Sequence, residues 1–494
     1  MHPGWRMTTI GYTPSTLEAN PVHGPASRAG RDHPAGDADS VATLPGMSVL
    51  RRQTWEAMAD HDREALFARG LDEIFDPGLR ASIERLVDDV RTRGDAAVCD
   101  ALARFDAIEL TPAELLVSDA QIAAAVVAPD VDAAIDDAIA HLRAFNEQQL
   151  ARFGDWSFES EPGLTVGEKI TPIASAGLYV PSGKASYPSV AYQLAVPALV
   201  AGVGRIVLVV PPEPGGTGDV DPAVLVVCRK LGVTPANGHV VVRANGPAGI
   251  AAMGLGTESI PRALKLMGPG SPATTVTQIE LRRHGVETVL LLGPTESVVV
   301  ADDTADPERL AADLLIEAEH GSDSSVVLVT TSPELIDATD AALARQLGEL
   351  PTVRADAARA SLGPNGGAVL VADLATAVAV ANRYAPEHLQ VAVAESAVDT
   401  VVAGLVNAGE ILIGQHTPFS AANFVIGCPA SLPTSGYAHV ASGITAAAFL
   451  KRTAVARADA AALARMTPSV VALADHEGFP AHAAALRRRP TFPV

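Results

Sequence analysis

The sequence predicts an α/β protein with two doubly wound, Rossmann-like domains and helical extensions at the N- and C-terminal ends. Three observations support this prediction. The chain has 494 residues, which is too long for one hydrophobic core. Val-rich runs alternate with helical segments between Ile173 and Ile413, an order typical of βαβ units and parallel sheets. Apolar residues make up 48% of the chain and aromatic residues only 4%, which favours Ala-rich helices packed on Val-rich strands.

The N-terminal part is predicted to be helical after a structureless start. Residues 1–45 are rich in Pro, Gly, Ala, His and Asp without periodicity, so they predict a disordered tail or a start codon assigned too early. Residues 46–67 are predicted as a helical extension. From Gln53 to about Gln148, apolar residues recur three and four positions apart, as in an amphipathic helix.

Two series of strands and helices follow. The first series is predicted to contain strands Ala174–Val180, Arg205–Val210, His239–Val242 and Val286–Leu292, with helices Tyr187–Gly202 and Asp221–Leu231. The second is predicted to contain strands Ser297–Ala301, Ser325–Thr330, Gly367–Val371, Leu389–Val393 and Ile411–Ile413, with helices Pro307–His320, Pro333–Leu347 and Leu374–Arg383. Continuous apolar strands of this kind are buried on both faces. After Ser442 the chain is predicted to be helical to its end.

Charge and cysteine content exclude several classes of function. A net charge of −21 argues against nucleic-acid binding, which needs clustered Lys and Arg. Three widely spaced cysteines predict no disulfide framework and favour a reducing compartment. The N-terminus lacks the apolar core of a secretory signal, and no uninterrupted apolar stretch is long enough to cross a membrane. We therefore expect a cytoplasmic protein without a nucleic-acid or membrane partner.

Three local patterns are candidates for chemistry. The segment from Tyr179 to Gly183 lies between a strand and a helix, so it suits either a cofactor phosphate or a structural turn. Glu317 and His320 share one face of a helix end, which allows metal binding, but the pattern alone favours a solvated helix terminus with His320 complementing the helix dipole. The adjacent pair Glu387-His388 would give one cleft two proton acceptors of different pKa, or else an exposed capped loop.

Taken together, motifs along the chain resemble the histidinol dehydrogenase family over roughly residues 48 to 490. Their order and number make chance agreement a poor explanation. The motifs are Arg93-Gly-Asp95, Arg143-Ala-Phe-Asn146, Gly177-Leu-Tyr-Val-Pro-Ser-Gly183, Tyr187-Pro-Ser189, Gly256-Thr-Glu258, Gly268-Pro-Gly270, Gly293-Pro-Thr-Glu296, Ala318-Glu-His-Gly321, Tyr384-Ala-Pro-Glu-His-Leu389, Thr417-Pro418, Leu432-Pro-Thr434 and Ala481-His482.

The resemblance implies an intertwined homodimer whose active sites combine both subunits, with bound zinc and two hydride transfers to NAD. It implies that Glu387 activates water and that His388 is the general base on the alcohol. It divides the chain into a first domain (68–176 with 296–442), a second, cofactor-binding domain (177–295) and a C-terminal dimerisation segment (443–494). It also implies substrate contacts at Thr295, Glu317, His320, Asn423, Glu477 and His482.

The positions that match the family's metal ligands carry an exchange of acid and amide. The family uses Gln, His, Asp and His, whereas this chain has Glu317, His320, Asn423 and His482 at the matching positions. The formal charge of the set is unchanged, and each residue still offers an oxygen or nitrogen donor. The resemblance therefore predicts that the metal is retained, with drift in a degenerate site as the alternative.

The pocket positions depart further from the family. An Asn-His pair that precedes Leu-Pro-Thr in the family is Pro429-Ala430 here. The cofactor positions are Tyr179, which matches, and Ala248 and Ser271, which replace a Gln and an Asn. Overall, the sequence predicts an NAD-dependent, zinc-containing dehydrogenase that oxidises histidinol or an analogue. A homologue acting on another amino alcohol or polyol in a specialised pathway, or a non-catalytic binding subunit, is the alternative.

Overall fold

Two parallel β-sheets organise the computed structural model, which describes residues 48–69, 74, 76–182, 186–213, 215–289 and 293–489. The tail predicted at 1–45 lies outside these residues. The described strands are β1 (Arg52–Thr54), β2 (Trp156–Glu161), β3 (Leu164–Pro172), β4 (Ser175–Tyr179), β5 (Arg205–Val210), β6 (Val240–Arg243), β7 (Lys265–Met267), β8 (Glu287–Val289), β9 (Glu296–Ala301), β10 (Ser325–Thr330), β11 (Gly367–Leu370), β12 (His388–Ala392), β13 (Glu410–Ile413) and β14 (Leu450–Ala458).

Helices alternate with the strands of both parallel sheets. The described α-helices are α1 (Asp60–Phe67), α2 (Pro77–Arg93), α3 (Asp95–Asp106), α4 (Asp119–Ala124), α5 (Pro129–Leu150), α6 (Pro188–Ala201), α7 (Pro222–Leu231), α8 (Gly246–Leu255), α9 (Pro272–Leu281), α10 (Pro307–Ala318), α11 (Pro333–Gln346), α12 (Thr352–Leu362), α13 (Leu374–Tyr384), α14 (Glu395–Gly404), α15 (Phe419–Phe424), α16 (Ala460–His476) and α17 (Pro480–Arg487). None of the helices in the described ranges is long and apolar enough to cross a membrane.

The strand order differs among the three sheets. The five-stranded sheet has the order β6-β5-β4-β7-β8, and its strands are parallel. The six-stranded sheet has the order β1-β11-β10-β9-β12-β13 and is also parallel. The third sheet is antiparallel and places β3 between β2 and β14.

Continuous apolar runs form the central strands because both faces of each parallel sheet are buried. In β10, Val326 and Leu328 enter one apolar cluster, and the alternate residues Val327 and Val329 enter another. Side chains of a strand point alternately to its two faces, so one run supplies two cores. The prediction of an α/β protein with parallel sheets is confirmed.

Helix ends follow local chemistry. The Asp76 side chain accepts a hydrogen bond from the backbone N–H of Leu79 at 2.6 Å, and Pro77 occupies the first turn of α2. Pro suits this position because its missing N–H would have no partner within the helix. Gly232 ends α7 with a φ of 70°, a left-handed conformation that favours glycine.

Three segments differ from the predicted elements. The strand β1 lies within the predicted helical extension 46–67 and pairs with β11, and the hairpin formed by β2 and β3 was not predicted. The segment after Ser442, predicted to be helical throughout, contains β14, which follows a short 3-10 helix at Ala446–Phe449 and pairs with β3 over nine residues. Its Ala-, Lys- and Arg-containing sequence has no strand periodicity, so pairing with a distant segment overrides local preference.

Helices from the N-terminal part pack on the five-stranded sheet. Val87 and Val98, from α2 and α3, join the apolar cluster on one face of that sheet. Ile135 and Leu142 of α5 join the cluster on the other face. The division of the chain into domains 68–176 with 296–442, and 177–295, stays a prediction.

Candidate active site

A tight turn between α13 and β12 positions the adjacent acid and histidine. The helix ends at Tyr384, and Ala385 takes a left-handed φ of 49°, uncommon for a residue with a Cβ atom. The chain then passes Pro386 and Glu387 before β12 begins at His388. The prediction that this pair ends a helix and opens a strand is confirmed. Glu387 and His388 are only 8% and 3% exposed, so the alternative of an exposed capped loop is wrong.

His388 lies between two carboxylates. Its Nδ1 atom is 2.5 Å from Oε1 of Glu410, and its Nε2 atom is 3.7 Å from Oε1 of Glu387. Burial by itself lowers the pKa of this imidazole, but the negative charges of Glu317, Glu387 and Glu410 raise the pKa to about 10. The histidine therefore has a high affinity for a proton.

Glu387 is a buried acid with an unusual proton affinity. Burial raises the pKa of its carboxyl to about 8, opposed by His388 and reinforced by the charges of Glu317 and Glu296. Its Oε2 atom accepts a hydrogen bond from the backbone N–H of Glu296 at 3.2 Å. A carboxyl group with a pKa in this range can act as a general base near neutral pH.

Glu387 lines a cavity of about 100 Å³ that joins segments from both parallel sheets. Thr295 and Gly293 precede β9, whereas Pro269 and Gly270 lie between β7 and α9. The remaining lining residues are Val190, Ala430, Ser431, Leu432 and Thr434. The cavity therefore brings Thr295, Glu387 and Ala430 to one place.

Three of the four predicted metal ligands lie together. Asn423 of α15 donates a hydrogen bond from Nδ2 to Oε1 of Glu317 at 2.7 Å, and Glu317 is 1% exposed. The Nδ1 atom of His320 is 3.4 Å from Oε2 of Glu317 and 2.9 Å from the carbonyl oxygen of Ile316. Nδ1 can donate to that carbonyl, which leaves Nε2 of His320 free for a metal.

The single chain leaves the C-terminal candidates exposed. His482 lies in α17, where its ring contacts that of Phe479 at a centroid distance of 5.2 Å, and Glu477 directly follows α16. Both side chains are on the surface. Within the described part of the chain, no three His, Cys, Asp or Glu side chains form a metal cluster.

The predicted cofactor residues surround the carboxyl ends of β4 and β7. Tyr179 ends β4 and is 5% exposed, and burial raises the pKa of its hydroxyl. A Cβ atom on Gly246 would lie 2.7 Å from the Tyr179 Oη, so glycine permits the close approach of α8. Ala248 is completely buried within α8, and Ser271 is the exposed residue before α9. Gly183 lies outside the described residues.

Sequence reasoning missed two groups beside the predicted bases. Glu410 is buried against His388, and its only signal in the sequence was an acid directly before an apolar strand. Arg69 donates from Nη2 to the carbonyl oxygen of Tyr384 at 2.5 Å and has Nη1 2.9 Å from Oε2 of Glu296. Its guanidinium lies over the Tyr384 ring at 3.6 Å, so Arg69 stabilises the turn that leads to Glu387.

Comparison with known proteins identifies the family. The family profile for histidinol dehydrogenase matches residues 73–490. A histidinol dehydrogenase of Rhizobium meliloti (strain 1021) is 40% identical over 414 residues, which cover 83% of this chain and 92% of that relative. This chain belongs to the histidinol dehydrogenase family. The resemblance found in the sequence is thereby confirmed.

Further comparisons agree with this assignment. A "histidinol dehydrogenase homolog 2" of Mesorhizobium japonicum is 39% identical and covers 81% of this chain and 89% of the relative. The crystal structure of histidinol dehydrogenase from Elizabethkingia anophelis matches with a TM-score of 0.82 at 29% identity, covering 89% of this chain and 98% of the other. The chain is thus an enzyme, an oxidoreductase of a family of NAD-dependent dehydrogenases.

Proposed function

We propose that this enzyme oxidises a small amino alcohol, histidinol or a close analogue, through the aldehyde to the carboxylate with NAD. The observation that carries the proposal is the pair Glu387-His388, buried in a turn where Glu387 lines the cavity and the charge of Glu317 acts on both side chains. A four-electron oxidation needs two hydride transfers and a proton acceptor for each step. Two adjacent groups with different proton affinities meet that requirement.

The two bases divide the chemistry. In the first step, Nε2 of His388 takes the hydroxyl proton while the carbinol hydride goes to NAD, which gives the aldehyde. In the second, the Glu387 carboxylate takes a proton from water as that water adds to the aldehyde carbon. The resulting hydrate anion would lose a hydride to a second NAD and give the carboxylic acid, which releases its proton to become the carboxylate. Thr295, in the same cavity as Glu387, contacts the substrate.

The donor set suits a zinc ion. Glu317, His320 and Asn423 offer oxygen and nitrogen donors from α10, the residues after it and α15, and the side chains of Asn423 and His320 lie 2.7 and 3.4 Å from the Glu317 carboxylate. With His482 they complete four donors, the usual number for zinc. When bound, zinc supplies a Lewis acid that orients and polarises the substrate.

A second subunit completes this site in the proposal. Every residue of β14 after Leu450 is exposed, and Leu473 and Phe479 are 61% and 50% exposed. Because this segment exposes apolar side chains, it favours an interface with another copy of the chain. His482 and Glu477 of the partner subunit would then reach the metal and the substrate.

The NAD site is proposed at Tyr179, Ser271 and the start of α8, at the carboxyl ends of parallel strands. Ala248 has no exposed surface, so it shapes this site from within α8. The enzyme is proposed to act in the cytoplasm.

One observation favours a substrate other than histidinol. Ala430 lines the cavity beside Glu387 and offers only a methyl group, and its backbone N–H is already donated to Oε1 of Gln193 at 3.2 Å. The pocket lacks the side-chain hydrogen-bond partner that the family's His offers at this position, which lowers its discrimination in favour of histidinol. The second candidate is therefore another amino alcohol or a polyol.

The test is NADH formation by the purified enzyme with histidinol and with a panel of amino alcohols and polyols, alongside zinc analysis. Two NADH per molecule of one preferred alcohol, with loss on zinc chelation, is the expected result. Preference for histidinol would remove the second candidate. No turnover of any alcohol, together with no bound zinc and no NAD affinity, would overturn the proposal in favour of a binding subunit.

A further inference from the structure

Glu410 lies directly beside the proposed general base. It is the first residue of β13, and the parallel pairing of β12 with β13 sets it opposite His388. Its Oε1 atom is 2.5 Å from Nδ1 of His388. An ionised carboxylate can only accept a hydrogen bond, so the imidazole donates from Nδ1.

The surroundings of Glu410 offer the carboxylate little besides this histidine. The side chains of His388 and Glu410 are 3% and 6% exposed, and Oε2 of Glu410 is buried without a hydrogen-bond partner. Among the described residues, no Lys or Arg forms an ion pair with Glu410. Burying an unpaired carboxylate costs free energy of desolvation. The contact with His388 is the one strong interaction that offsets this cost for Glu410.

We propose that Glu410 is a positioning residue that holds His388 with its proton on Nδ1 and its Nε2 lone pair directed to the substrate. The carboxylate also stabilises the imidazolium that forms once Nε2 has taken the hydroxyl proton. A carboxylate serves a catalytic histidine in this way in the Ser-His-Asp triad. The role rests on the proposed function, because it acts through the base in alcohol oxidation.

Several other groups surround His388, and the effect of Glu410 has to be distinguished from theirs. Glu387 lies 3.7 Å away on the Nε2 side, and the charge of Glu317 acts on the ring from α10. The Phe419 ring packs against the imidazole in a T-shaped arrangement. Cys428 is near enough to Glu410 for that charge to raise the pKa of its thiol, after the larger effect of burial. Glu387 and Glu317 keep their side chains when Glu410 is neutralised, so the change isolates the contribution of Glu410.

The first experiment compares Glu410→Gln with wild type in the pH dependence of alcohol oxidation. The charge of Glu410 raises the pKa of His388, so its loss should move the acidic limb of kcat to lower pH by about 1 to 3 units. The plateau of kcat should fall by roughly 10- to 100-fold, since an outer partner orients the histidine. KM should change little, because Glu410 does not line the cavity.

Asp313→Asn is the matched control. Asp313 is also a buried carboxylate, and its Oδ2 atom accepts a hydrogen bond at 2.7 Å from Gln390, two residues after His388 in β12. This change removes a buried charge beside the same strand without touching the imidazole. In Asp313→Asn the acidic limb of kcat should stay at the wild-type pH, even if this variant loses as much thermal stability as Glu410→Gln.

A second measurement does not depend on turnover. Nitrogen NMR of ¹⁵N-histidine-labelled enzyme, with His388 assigned by His388→Gln, reports the protonated nitrogen and the pKa directly. Wild type should show the proton on Nδ1 in the neutral form, whereas Glu410→Gln should show mixed tautomers and a lower pKa. Glu410→Ala, which buries no unpaired amide, should behave alike if the glutamine variant does not fold.

The outcomes separate this inference from the proposed function. The role of Glu410 would be overturned if Glu410→Gln and Glu410→Ala both kept the wild-type ¹⁵N chemical shifts of His388 and the wild-type acidic limb of kcat. A changed tautomer in an enzyme that oxidises no alcohol would keep the pairing of Glu410 with His388 and remove the proposed function instead. A shifted limb that Asp313→Asn reproduces would make the effect a general loss of charge, which also overturns the proposal.

Discussion

The turn with Glu387 and His388 and the C-terminal segment with Glu477 and His482 are both assigned to the proposed site, but they differ in burial within the single chain. The turn bearing Glu387 and His388 is buried, braced by Arg69 and paired with Glu410, so its geometry is complete within one subunit. The C-terminal segment carries Glu477 and His482 on exposed helices that follow an exposed strand. Under the proposed function, the groups that move protons are preorganised within one chain, whereas the contacts of Glu477 and His482 require a second subunit.

The largest effect is expected where the buried region supplies the base for water. Glu387→Gln should slow aldehyde oxidation by about 10²- to 10⁴-fold, because the amide cannot take the proton of the attacking water. The first hydride transfer should persist, so NADH formed per alcohol consumed should fall from two towards one. NADH measured against product by chromatography gives this ratio, and an unchanged ratio would contradict the assigned role.

A large effect is also expected at the exposed region. His482→Ala should weaken zinc binding by at least about 10- to 100-fold, the loss typical of changing even an outer partner of a metal ligand. Zinc titration with a chromophoric chelator measures the affinity. His476→Ala, at an exposed histidine near the end of α16, is the control and should bind zinc as the wild type does.

Mixing these variants tests whether the two regions meet across subunits. Neither Glu387→Gln nor His482→Ala homodimers should convert the alcohol to the carboxylate efficiently. In a purified heterodimer one site carries both changes and the other carries none, so about half of wild-type activity should return. Absence of recovery in a verified heterodimer would place all of the ligands within one chain.

A smaller, graded effect is expected from pH. Because burial raises the pKa of Glu387 to about 8, aldehyde oxidation should rise about tenfold per pH unit below that value and then level off. The folded protein keeps a proton that the unfolded chain loses above its ordinary pKa of 4.5, so stability should fall as pH rises from there to about 8. Below about pH 6.5, where His388 is protonated in both the folded and the unfolded chain, thermal unfolding should show that slope in wild type and not in Glu387→Gln; above it the raised pKa of His388 adds a slope to both proteins.

The smallest effect is expected at a single apolar residue of the exposed region. Leu473→Ser should weaken dimerisation by about 1 to 2 kcal/mol without unfolding the subunit. Val353→Ser, at an 80% exposed valine in α12, is the control and should leave dimerisation unchanged. Sedimentation velocity over a dilution series distinguishes them, and equal behaviour would remove α16 from the interface.

Local sequence patterns predicted the helices and strands whose own residues show a clear periodicity or a continuous apolar run. The helix that ends before Glu387, the strand that begins at His388 and the helix carrying Glu317 were all predicted. The strand β14 was not, because its residues are exposed and show no alternation. The meeting of Glu317, His320 and Asn423 was expected from family resemblance, and local pattern alone left the metal open.

By itself, the sequence determined that the chain forms parallel sheets, because Val-rich runs separated by helices can bury both faces only in that arrangement. The sequence also placed Glu387 and His388 next to each other, between a helix and a strand. Only the tertiary structure placed Glu410 against His388 and Arg69 against Glu296. Such contacts depend on strand order and register between segments far apart in the chain, and no local periodicity records them.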